Sequence, residues 1–182
     1  MTADERTRLL ELFRTRAVTH GQFTLASGRT SRYYINSKQV LFHGETMTLL
    51  GAAFDAATAD LDIQAVGGLE VGALPLATAL VMAAHQRGRE LEGFFVRKEA
   101  KPHGSQALIE GRLRPGDRVA ILDDVLTTGG SAVQAIAEVE RVGAKVVCVV
   151  CIVDRLAGAA ERLRDYNFRP LFTSADLGLP PE

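Results

Sequence analysis

Hydrophobic positions along this chain follow two rhythms. Over residues 4–16, Leu9, Leu10, Leu12 and Phe13 recur at helical spacing between charged positions, which predicts an amphipathic packing helix. Residues 45–59 predict a second helix, and an apolar helix follows Pro75 through Val81 to Arg87. A further helix over 131–141 carries Ala132, Ile136 and Val139 on one face, with Gly143 suited to its C-terminal cap. Between the helices lie short apolar-rich runs at 63–67, 93–97, 119–122 and 144–153. The run at 119–122 is unbroken and does not alternate, as in a strand covered on both faces of a parallel sheet. Strand patterns alternating with helical ones predict an α/β fold, a parallel sheet flanked by helices on both faces. Pro115 and Gly116 take the two central positions of a type II turn that feeds the strand at 119. The tail, 166–182, adds an edge strand at 170–173 and no legible chemistry.

Size and charge narrow the class. At 182 residues and 47% hydrophobic content the chain has the material for one domain with a sizeable core, so a single domain over 1–182 is expected. With 21 basic and 22 acidic residues there is no basic field to attract nucleic acid. No stretch approaches transmembrane length, and charge begins at Asp4 where a signal peptide would need an apolar core. The expectation is a cytoplasmic protein with no membrane partner. Cys148 and Cys151 form a C-x-x-C inside an apolar run; three positions apart in a strand, they point to opposite faces and read as core thiols.

Chemistry concentrates at Arg118 to Ser131. The apolar run ends in Asp123 and Asp124, followed by Val125, Leu126, Thr127, Thr128, Gly129, Gly130 and Ser131 before a helix begins. Ligands of open α/β sheets bind at such strand ends. The hydroxyls, the backbone N–H groups and the positive end of the next helix suit a phosphate. The two acids suit sugar hydroxyls or a metal instead. Taken alone, the same residues equally describe a helix cap and a solvated turn. The glycine loop from Gly67 to Pro75 repeats the strand, loop and helix order, but the chain has neither G-x-G-x-x-G nor a Gly-Lys pair. After the strand ending at Arg97 comes a charged loop, Lys98, Glu99, Ala100, Lys101, Pro102, His103, Gly104 and Ser105. A run of charge is ordinarily a solvated loop. Yet Arg97, Lys98, Lys101 and His103 fall within seven positions, a concentration of cations that a strongly anionic ligand would need.

The Asp-Asp-Val-Leu-Thr-Thr-Gly-Gly-Ser segment resembles the phosphoribosyl-diphosphate signature of the type I phosphoribosyltransferases. The phrase Thr-Leu-Ala-Ser-Gly-Arg followed by Tyr-Tyr-Ile-Asn, and the block Arg97, Lys98, Lys101, His103, are similar to the orotate phosphoribosyltransferases. The resemblance covers most of residues 18–156. It implies a small hood from about 1–40, joined by the C-terminal tail, over the carboxyl end of a core from about 45–156. It implies that Asp123 and Asp124 face the ribose and that residues 127–131 hold the 5′-phosphate. Lys101 and His103 are then catalytic, with Arg97 and Lys98 assisting, and the backbone near Tyr34 and Ile35 holds the pyrimidine. Arg155, at the end of a strand, meets the orotate carboxylate as a planar fork. Mg²⁺ travels on the diphosphate and ribose oxygens, with no direct protein ligands. The loop closes over a neighbouring subunit's site, which implies a homodimer using phosphoribosyl diphosphate and orotate. Two positions depart from relatives: Ala26, where some carry Lys, and Glu70-Val71, where an aromatic and a Lys are common. A phosphoribosyltransferase for another base would share the acidic loop but lack the hood phrase and basic block. A regulator that senses the donor and binds nucleic acid fits poorly with near-zero net charge.

Overall fold

In this computed structural model, residues 1–24, 30–99 and 108–180 are described. The departure at Ala26 and the expected catalytic pair Lys101 and His103 lie outside them. Helix α1, Ala3–Leu12, opens on a capping box in which Thr2 and Glu5 exchange bonds with each other's backbone. The helix expected to reach Arg16 ends earlier and widens into a single π-helical turn over Phe13–Ala17, with Phe13 and Ala17 both buried. Strands β1, Val18–Thr24, and β2, Thr30–Ile35, then pair antiparallel as a separate two-stranded sheet. Along β2 exposed and buried positions alternate, so Ser31, Tyr33 and Ile35 face inward as a half-buried strand requires.

After a short turn of helix α2, Lys38–Leu41, helix α3 covers Gly44–Thr58 and β3 covers Ala65–Gly67. Helix α4, Ala73–Gln86, begins directly after Gly72, with Pro75 in its first turn, where no intrahelical N–H is lost. Then come β4, Glu92–Val96, β5, Ile109–Gly111, and β6, Arg118–Leu126. Helix α5, Gly130–Arg141, strand β7, Lys145–Asp154, the short helix α6, Ala159–Arg162, and β8, Phe168–Thr173, complete the order. Pro115 and Gly116 make the expected turn, with Gly116 at φ +88° and the Asp117 N–H donating to the Arg114 carbonyl at 3.1 Å.

The six-stranded sheet runs β5-β4-β3-β6-β7-β8. All neighbours are parallel except β5, which returns antiparallel to β4. This return strand has no counterpart in the expected all-parallel sheet: three residues, Ile109, Glu110 and Gly111, are too few to carry a period. A second difference sits at the centre. β6 does not stop at the acids but pairs with β7 through Asp123↔Cys151, Val125↔Val153 and Leu126↔Asp154, because ladder bonds come from the backbone whatever the side chain.

Alternate residues of β6 serve two cores. Ala120 and Leu122 pack with Leu50, Phe54, Leu76 and Leu80 of α3 and α4, and with Phe13, Tyr33 and Ile35 from the N-terminal segment. Val119 and Ile121 pack with Ala132, Ile136 and Val139 of α5. Cys148 belongs to the first cluster and Cys151 to the second, on opposite faces as their spacing requires. Burial raises both thiols, Cys148 to about 11, which suits inert core groups. The N-terminal segment is tied to the C-terminal one. Arg6 donates to the Leu171 carbonyl at 2.7 Å and stacks 4.5 Å over Phe172, and the Tyr33 hydroxyl donates to the Pro180 carbonyl at 3.1 Å.

Candidate active site

Three glycines let the loop after β3 lie against the rest of the site. A Cβ on Gly67 would fall 2.2 Å from the Phe94 carbonyl oxygen, and one on Gly68 2.2 Å from that of Leu122. At Gly72 it would fall 2.7 Å from Asp124 Oδ1. A side chain at any of the three would drive the loop off β4, β6 or the acid. The Glu70–Val71 peptide between them is cis. Glu70 turns back and accepts the Lys98 N–H at 2.9 Å, joining this loop to the chain beyond β4.

The acids alternate, as strand neighbours do. Asp123 is nearly sealed from solvent, 6% exposed. Its Oδ1 accepts the Asp124 N–H at 2.8 Å and its Oδ2 the Ser131 hydroxyl at 2.6 Å. Burial first, and the adjacent charge of Asp124 second, push its carboxyl up to about 7, with the Ser131 bond pulling the other way. Asp124 accepts the Val125 N–H at 2.9 Å on Oδ1 and the Ser37 hydroxyl on Oδ2. Lys38, Glu70, Gly72 and Lys98 join the two acids and Ser131 around a pocket of about 220 Å³.

Beyond β6 the chain turns through Thr127 and Thr128 to Gly129, whose φ of +77° starts α5. The first-turn N–H groups of α5 have no carbonyl to meet within the helix, and they lie on the side where the acids end. Gly130 and Thr128 are exposed. The geometry therefore offers acceptors for hydroxyls and, one loop further, donors for an anion.

Several expected residues gather here and others stand apart. Asp123, Asp124, Val125, Ser131 and Lys98 line the one pocket. Leu126 is buried, and its carbonyl accepts the Arg155 N–H at 2.9 Å. The Arg155 guanidinium lies 5.0 Å over the ring of Tyr33, so the hood packs directly on a residue from the end of β7. Tyr34 faces outward against Phe23, ring centres 5.6 Å apart, while Ile35 points into the core. Ile35 can present only backbone to a ligand, whereas Tyr34 is exposed and can present its ring as well. Arg97 donates from Nε to the Glu99 carbonyl at 3.2 Å, and its N–H bonds the Leu108 carbonyl at 2.7 Å. Sequence reasoning missed Ser37 and Lys38. Their one signal is a polar run, Asn36 to Lys38, placed directly after the alternating strand β2.

Residues 44–170 match the phosphoribosyl transferase domain, which sets the class. The orotate phosphoribosyltransferase of Mycobacterium tuberculosis (strain ATCC 25618 / H37Rv) is 43% identical, over 98% of this chain and 99% of its own. That of Streptomyces avermitilis is 44% identical over 97% and 98%. The solved structure of the Mycobacterium tuberculosis H37Rv enzyme in complex with 5-phospho-alpha-D-ribosyl 1-diphosphate is similar at a TM-score of 0.81 and 40% identity, covering 96% of this chain and 99% of that one. The chain belongs to the orotate phosphoribosyltransferase family.

Proposed function

We propose that this protein transfers the 5-phosphoribosyl group from phosphoribosyl diphosphate to orotate, giving orotidine 5′-monophosphate and diphosphate in pyrimidine synthesis. The observation that carries this reading is the pocket at the end of β6, where two fixed carboxylates adjoin the open amino end of α5. Asp123 and Asp124 accept the ribose hydroxyls. Residues 127–131 hold the 5′-phosphate with backbone N–H groups and the hydroxyls of Thr127, Thr128 and Ser131. Arg155 and the backbone at Tyr34 and Ile35 seat the base beneath the hood. Lys101 and His103 neutralise or protonate the departing diphosphate, with Arg97 and Lys98 alongside and Lys38 on the pocket wall. The chain positions the reactants and stabilises charge as C1 loses its leaving group. Asp123 and Asp124 offer hard carboxylate oxygens that would suit a Mg²⁺ brought with the donor, which would further neutralise the leaving group.

One domain, with its hood, carries the whole site in this reading, and the protein works in the cytoplasm. The loop at 98–105 serves the neighbouring subunit of a homodimer. An exposed apolar stripe supports the dimer: Val71 beside α4, then Leu74 and Met82 on it. The test is incubation of the pure protein with phosphoribosyl diphosphate, Mg²⁺ and each candidate base, following diphosphate and nucleotide. Orotate is expected to be consumed. Lys101→Ala is expected to lower turnover roughly 10²-fold or more with little change in donor affinity. Equal turnover in variant and parent contradicts the role given to the loop.

A further inference from the structure

Asp124 is held by two separate parts of the chain. β6 itself contributes the Val125 N–H and the hood segment contributes the Ser37 hydroxyl, while Gly72 in the loop after β3 leaves room for the carboxylate. Asp123 is held differently, by its own strand and by Ser131 at the start of α5. Only the second acid therefore reports on where the hood sits.

Ser37 stands at the start of α2, where a serine ordinarily caps the helix with its own oxygen. It makes no such cap bond. Its carbonyl accepts the Val40 and Leu41 N–H groups, both at 2.9 Å, which fixes its backbone. Its side chain is 3% exposed and turns its hydroxyl on Asp124 instead. A hydroxyl that donates to one carboxylate oxygen fixes that carboxylate's rotation and leaves the remaining lone pairs for another donor. Across the carboxylate, Gly72 presents Cα without a side chain, so the plane set by Ser37 meets no steric stop.

We infer that Ser37 is a positioning residue for the donor sugar: it sets the carboxylate of Asp124 for the ribose hydroxyls. This rests on reading the end of β6 as the donor site. Without the hydroxyl, Asp124 keeps only the Val125 N–H on Oδ1, and part of the cost of orienting its other oxygen falls on each donor molecule that binds.

The experiment compares Ser37→Ala, Ser37→Thr and parent in steady-state assays varying donor and orotate separately, with calorimetric titration of phosphoribosyl diphosphate alone. Ser37→Ala is expected to raise the donor KM and Kd about 5- to 10-fold, the worth of one hydrogen bond. Its orotate KM and kcat stay within about two-fold of parent. Ser37→Thr, which keeps the hydroxyl, returns the donor values toward parent. An unchanged donor KM in Ser37→Ala overturns the inference. So do donor and orotate KM rising together, the mark of a hood merely loosened, or a failure of Ser37→Thr to rescue. A parent that forms no nucleotide from orotate breaks the functional reading itself, a result distinct from all of these.

Discussion

At the scale of single residues, Asp123 shows what a buried acid costs the fold. Its carboxyl is raised from 3.8 to about 7, chiefly by burial. An acid with a native value above its unfolded one favours the native state at low pH. That contribution is complete below 3.8 and is lost as pH rises through about 7. Above that point the folded chain carries two adjacent negative charges, one of them sealed in. Asp123→Asn is therefore expected to raise the urea midpoint relative to parent at about pH 8 and to close most of that gap at about pH 5. Parallel midpoints at both values would show that the acid carries no such penalty. The two acids and the Thr-Gly loop could be picked out from the sequence because they fall in one short segment that resembles a family signature; their residue types alone fit a capped turn equally well. Ser37 could not, since its partner lies 87 positions away and serine after a strand reads first as a cap.

At the scale of elements, α3 and α4 are joined across their ends by Asp55. This buried carboxylate takes Arg87 Nη1 at 3.0 Å and Arg89 Nη1 at 2.6 Å. Arg89 also reaches the carbonyls of Asp55 and Thr58 at 3.3 and 3.2 Å, covering the open end of α3. Asp55→Ala strands both arginines. Because Arg87 is half exposed, the loss is expected at about 2 kcal/mol rather than the larger figure for a fully buried pair. That corresponds to a fall in Tm of about 4–8 °C in a thermal melt, and a change within about 1 °C would contradict it. The long helices were legible because each repeats one period over many residues, and the parallel strands because short apolar runs alternate with those helices. The boundary at Leu126 and the strand β5 were not. One depends on how far β7 runs alongside, the other on where the chain returns, and periodicity records neither.

At the scale of the whole molecule, the apolar stripe on α4 sits between two grooves. One, of about 370 Å³, lies toward α3, and the other, of about 400 Å³, lies toward β4 and β5. Met82, 60% exposed, is shared by both walls. If two copies meet here, Met82→Glu places a charge in an apolar contact. Sedimentation is expected to shift from dimer to monomer, with activity falling as the protein is diluted. An unaltered dimer would move the contact elsewhere.

The antiparallel return of β5 reaches beyond the sheet. Arg97 and Leu108 are bonded across the mouth of the cationic segment at 2.7 Å, so the ends of that segment stay fixed whatever lies between them. Closing a longer excursion over fixed ends costs only about 0.6 kcal/mol for each doubling of its length. A change in the number of residues between Arg97 and Leu108 is therefore expected to cost the framework little, whatever it does to turnover.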